Sequence, residues 1–170
     1  MSLYDTAILQ NKKMLGNLDK WLDAGVAQAQ KKSFEPGVLL VARLAPDQYT
    51  LTRQIQAACD TAKFLAARLT GKEAPKHPDT EQTVDELHKR IQSVIAYLDT
   101  FTANDFDGAK SRHVELPFLE GKYLAGSDYA REMAGPNFYF HISMAYAILR
   151  HNGVDLGKRD FIGSLTTHDK

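Results

Sequence analysis

Few side chains in this sequence have the type and neighbourhood for chemistry, and His141 is the foremost. It stands between Phe140 and Ile142 in a run rich in aromatics. An imidazole there serves as a general base or as a lone metal ligand. The commoner case is a core histidine held by a hydrogen bond, because an unpartnered buried polar group costs about 1–3 kcal/mol. Asp60 is the carboxylate of interest: facing His141, it would orient the ring and raise its pKa. It also precedes Lys63 by three residues, a spacing at which the two pair on one helix face. Cys59 has no histidine beside it in sequence and reads as a small core residue rather than a nucleophile. Tyr139, Tyr146 and Arg150 form a stripe of packing or interface type, and Tyr146, Arg150 and Lys63 are the further candidates for a polar cavity. Asn137 follows Pro136, where its amide can satisfy backbone groups freed by the proline. His77 and His113, in loops, and His88 and His151, at exposed positions, match no metal-ligand spacing. There is no G-x-S-x-G elbow, phosphate loop or dinucleotide fingerprint.

The elements that must position these residues are helices. Tyr4, Ile8, Leu15, Leu18, Leu22 and Val26 recur at helical steps and predict a helix over about Leu3–Ala29. A short helix, Val38–Leu44, follows Pro36 and ends at Pro46. A second long helix is expected over Thr50–Leu69, with Gly71 as its C-terminal cap. Asp79 or Thr80 is expected to cap a third, with Glu81, Gln82 and Asp85 near its positive end, fraying near Thr102. Residues 103–126 predict a long crossover with a small hairpin. Ser127 is expected to cap a fourth helix that runs to Asn152 and is kinked or broken at Gly135-Pro136. In the tail, Val154–Lys170, Phe161 and Ile162 are expected to dock on the helices. The fold class is therefore all-α: a four-helix bundle with a long crossover before its last helix.

A chain of 170 residues fits one domain, here 1–170, that buries roughly 70% of its unfolded surface. Lys plus Arg and Asp plus Glu each number 21, so nothing favours nucleic acid or anionic lipid, and self-association is not opposed by net charge. One cysteine allows no intrachain disulfide. Without a secretory signal or an apolar run of about 20 residues, the expected location is the cytoplasm.

The run PNFYFHISMAYAILRHNGVDLGKRDFIG, Pro136–Gly163, resembles the signature of a bacterial domain-of-unknown-function family, numbered nineteen ninety-three. The runs Ala42–Gly71 and Asp79–Ile91 resemble it as well. That family is grouped with the DinB/YfiT-like superfamily of four-helix bundles. The resemblance implies a divalent metal held by three histidines, one from the second helix and an H-x-x-x-H pair from the fourth, and metal-assisted hydrolysis or transfer of small thiols. Residues i and i+4 share a helix face, which is why such a pair can converge on one ion. In this chain His141 falls at the second position of the pair, Asn137 at the first, and Ala57 or a neighbour at the third site, with Cys59 and Asp60 the nearest polar side chains. His141, Asn137 and Asp60 are the only metal set the resemblance leaves, and it is a poor one for zinc. Two readings follow. One is a homodimeric bundle without the three-histidine site and without a cofactor, binding a small molecule or a protein partner. The other is an enzyme of the DinB type, with His141 and Asp60 as its catalytic groups.

Overall fold

The structure is a computed structural model and describes residues 2–169; Lys170, the end of the expected tail, lies outside the described residues. Helix α1 (Asn11–Lys32) is entered through a wide π turn, Asp5–Gln10, and stops where Ser33 turns left-handed. Helix α2 is a single turn, Gly37–Leu40, shorter than the expected Val38–Leu44. Helix α3 (Leu51–Thr70) begins at Thr50, whose side chain accepts from the Arg53 amide. It ends at Gly71, whose φ of 79° lets its N–H reach the Ala67 carbonyl.

Helix α4 (Val84–Leu98) corrects the sequence reading. Its cap is Thr83, not Asp79 or Thr80. The Thr83 hydroxyl accepts from the Glu86 amide at 3.2 Å, and the Glu86 carboxylate accepts from the Thr83 amide at 3.0 Å. Residues 72–82 stay outside the helix, and this frees Asp79 and Glu81 for another role.

The expected crossover holds two short 3-10 turns and the hairpin: β1 (His113–Glu115) pairs antiparallel with β2 (Tyr123–Ala125), Val114 opposite Leu124. One α turn, α5 (Gly126–Asp128), follows. A side chain at Gly126 would run into the Ala109 carbonyl, so the crossover can close only over glycine. Ser127 lies inside α5 and makes no cap. A π turn, Tyr129–Ala134, leads into α6 (Gly135–His151), with Pro136 in its first turn. The break expected at Gly135-Pro136 therefore takes the form of a π-to-α transition, which suits a residue lacking an N–H.

Helices make up 64% of the chain, so the two short strands are an appendage to a helical core. Helix α3 packs between α6 and α4, and α1 closes the ring by packing on α4 and α6. Ile55, Leu65, Leu87, Ile91, Phe138 and Ile142 belong to one buried cluster, each essentially without exposure. Each such side chain contributes roughly 1.5–3 kcal/mol. The tail docks through Phe161, whereas Ile162, also expected to dock, stays exposed. In α7 (Lys158–Ile162), Phe161 stacks on Trp21 at 5.5 Å, and Trp21 donates its indole N–H to the Asp160 carbonyl. No helix among the described residues is long and apolar enough to cross a membrane.

Candidate functional site

Helix α3 carries polar side chains on two of its faces, and each meets a different neighbour. On the α6 side, His141 is buried, stacked parallel to Tyr49 at 6.2 Å and edge-on to Phe140. Its Nδ1 lies 2.7 Å from Oε1 of Gln54. The Gln54 amide nitrogen is turned to the Tyr49 carbonyl, so its oxygen faces the ring and the imidazole must donate from Nδ1. Burial, then the nearby Arg53 charge, lowers the His141 pKa below its usual range and keeps the ring neutral. Four residues earlier, Asn137 donates to the Thr61 hydroxyl at 2.7 Å, and that hydroxyl donates back to the Ala57 carbonyl at 2.7 Å.

The polar partners that α3 offers here are Gln54 and Thr61, not Cys59 or Asp60. Asp60 is one residue from Thr61, about 100° around the helix, and therefore faces elsewhere. The Asp60–His141 pair of the enzymatic reading does not form, and the His141 pKa is lowered rather than raised; the ring is a core histidine held by a hydrogen bond. One imidazole, two amides and a hydroxyl, already bonded in pairs, do not fit a divalent metal of the three-histidine kind. Among the described residues no group of three or more His, Cys, Asp or Glu gathers as a ligand set.

On the α4 side lies an ionic network that the sequence reading missed. The Arg90 guanidinium, with 1% side-chain exposure, reaches Asp60 at 2.5 Å, Glu81 at 3.0 Å and Asp79 at 3.1 Å. Lys63, buried on the same face as Asp60, pairs with it at 2.7 Å as its spacing predicts. Arg53 pairs with Asp79, and Gln56 donates to Glu81 at 2.8 Å. Three cations, Arg53, Lys63 and Arg90, thus meet three carboxylates, Asp60, Asp79 and Glu81, so the network closes without net charge. Burial alone would raise the Asp79 pKa, but the Arg53 hydrogen bond and the Arg90 charge bring it below the usual carboxylate range.

The network extends to His77. Lys63 Nζ lies 3.0 Å from His77 Nδ1, and His77 Nε2 lies 3.2 Å from the Ser93 hydroxyl. An ammonium can only donate, so Nδ1 accepts and the ring proton sits on Nε2, aimed at Ser93. The imidazole offers Ser93 a proton and not a lone pair, so this pair is no nucleophile–base couple. Beside it opens a cavity of 620 Å³ under the C-terminal half of α3, with Asp60, Lys63, Phe64, Arg68 and the 72–77 loop among its walls.

The other sequence candidates fall outside both groups. Cys59 is fully buried, and burial pushes its thiol up to about 12, far from a thiolate nucleophile. Tyr146 packs edge-on to Trp21 and Phe161, and Arg150 is exposed on the last turn of α6. His88 is half-buried rather than exposed and bonds Asp19 at 2.6 Å, joining α4 to α1. The missed residues left two signals. Thr83-Val84-Asp85-Glu86 is a capping-box pattern, which puts Asp79 and Glu81 ahead of the helix. Arg90 also interrupts the apolar stripe of Leu87, Ile91 and Val94, so it had to be buried.

Residues 3–162 match the family described as domain of unknown function DUF1993. The crystal structure of a DinB family member protein from Shewanella denitrificans superposes with a TM-score of 0.96. It is 49% identical, over 99% of this chain and 96% of that one. No curated protein matches the chain. With nearly its whole length accounted for on both counts, the chain belongs to the DUF1993 family and shares the fold of a DinB family protein.

Proposed function

We propose that this protein is a four-helix bundle of the DinB type in which direct hydrogen bonds occupy the place of the metal, and that it acts by binding a small molecule. The ring of α1, α4, α3 and α6, with the long crossover before the last member, supports the bundle. The pairing of Asn137 with Thr61 and of His141 with Gln54 carries the rest. The residues that stand where the superfamily places ligands are satisfied by α3 itself, in neutral form. Asp60, committed to Arg90 and Lys63, has no proton-transfer partnership with His141, so metal-assisted hydrolysis or thiol transfer gains no support. Elemental analysis of protein purified without a histidine tag tests this reading: substoichiometric metal is expected, and one tightly held zinc, nickel or iron per chain refutes it. Val38, Val41, Tyr49 and Phe140 leave apolar side chains exposed, which supports the homodimer. Sedimentation should then give twice the chain mass of 19.0 kDa, and a purely monomeric species refutes the dimer.

A further inference from the structure

Phe64 and Arg68 stand one helical turn apart on α3, and together with Tyr129 they build an unusual clamp. The Arg68 guanidinium carbon lies 5.0 Å from the centre of the Phe64 ring and 5.6 Å from that of Tyr129. One of its nitrogens donates to the Tyr129 hydroxyl at 2.8 Å. The two rings and the hydroxyl fix the orientation of the guanidinium without neutralising it. Among the described residues, no carboxylate comes within ion-pair distance of Arg68 or of Lys76, and both line the 620 Å³ cavity.

The other charges on those walls are already used. Lys72 pairs with Asp105 at 2.7 Å, and Lys63 with Asp60. Asp60, the one carboxylate among the lining residues, is shared between Lys63 and Arg90, so it does not oppose an incoming anion. At the rim, Gly71 has no side chain, and the Arg112 guanidinium stands over it, 3.0 Å from where a Cβ would be. Phe64, Ala67 and Pro75 supply apolar wall. The volume lies within the roughly 300–1,000 Å³ of small-molecule sites. A chain of zero net charge has here a local excess of unmet positive charge next to apolar surface.

We infer that this cavity binds a small organic anion with an apolar body, its charged end on Arg68 and Lys76 and its apolar part against Phe64, Ala67 and Pro75. The inference rests on the reading of the protein as a small-molecule binder and names the site and the ligand class. Arg68 offers a carboxylate or phosphate ester a planar set of donors already held in place, so little ordering entropy opposes binding.

The test is calorimetric titration of the full chain with 1-naphthoate, with the neutral isostere 1-naphthylmethanol and with inorganic phosphate. Shifts in the amide NMR spectrum locate the site. Naphthoate should bind about tenfold or more tighter than either of the other probes. Arg68→Gln should weaken it about tenfold, and Lys76→Gln, in an exposed loop where folding is not at stake, about threefold. Lys31→Gln removes the same charge from the distant end of α1 and should change nothing. Shifts should cluster at Phe64, Ala67 and Ala74. Equal binding of the neutral probe or of phosphate, unchanged affinity in both cavity variants, shifts centred elsewhere, or no naphthoate binding at about 10 mM overturns the inference. Metal content, measured on the same preparation, separates its failure from that of the metal-free reading: either can fail while the other stands.

Discussion

The two polar faces of α3 meet their neighbours on opposite terms. Toward α6, Gln54 and Thr61 meet His141 and Asn137 through uncharged hydrogen bonds. Toward α4, Asp60 and Lys63 meet Arg90 and Glu81 in a network of full charges, with Gln56 and the neutral His77 ring bonded to its edges. Neutral amides and hydroxyls cost little to bury once paired, so two isolated pairs suffice on the first face. A guanidinium as buried as Arg90 is tolerable only with its carboxylates in place, so the second face has to be completed by residues from outside the helices. The loop that supplies Asp79 and Glu81 also supplies Lys76 and His77 to the cavity. The face where relatives are expected to hold a metal is closed, whereas the face that carries charge borders open space.

Substitutions should separate the two faces by size of effect. Arg90→Leu leaves Glu81 without a cation and takes one of two cations from Asp60 and Asp79, and should cost about 3–5 kcal/mol, read by urea denaturation. Adding Glu81→Gln should recover only part of it, because Asp60 and Asp79 have each still lost a cation. A loss below about 1 kcal/mol for Arg90→Leu would mean that the network is solvated and the contrast is false. Asn137→Leu should cost about 1–2 kcal/mol, since it leaves the Thr61 hydroxyl without its donor. Combining it with Thr61→Val should restore most of that loss, because both partners of a neutral pair are then apolar. A double-mutant loss equal to the sum of the two single losses would contradict the pairing.

The smallest effect should be on pH dependence. Burial holds His141 neutral with its folded pKa below the usual imidazole value near 6.5, to which the unfolded chain reverts. Between those two values the unfolded state binds more protons, so stability should fall as the pH drops below about 6.5 and through the folded value. His77, lowered first by burial and then by the charges of Arg90 and Lys63, adds a slope of the same sign. His141→Gln should flatten part of this slope and leave the further loss that begins below the usual aspartate value of about 3.9 and continues through the lowered folded pKa of Asp79. An unchanged slope between pH 7 and 5 would show that His141 is not held neutral.

The long helices were legible because their apolar residues repeat at helical steps, and Gly71 and the crossover hairpin were legible from turn chemistry. Tail docking by Phe161 was foreseen because a lone aromatic in a polar segment has to find apolar cover. The start of α4 was misplaced because Asp79 and Thr80 are themselves good caps, and only the reciprocal Thr83–Glu86 pair decides between them. That single shift hid the network, since an acidic residue assigned to a helix terminus is not available to pair with Arg90. At His141, sequence could pose the question of a partner but not answer it. Gln54 and Asp60 are both within two turns of Ala57, and only the rotation of α3 about its axis decides which one faces the ring.

The closed face between α3 and α6 is the centre of the account, and imidazole nitrogen NMR on the untagged protein tests it most directly. At neutral pH, His141 should carry its proton on Nδ1 and keep its signals unchanged when stoichiometric zinc is added. Zinc-dependent shifts of both His141 and the Asn137 side chain would show that the site still takes a metal and would contradict the account.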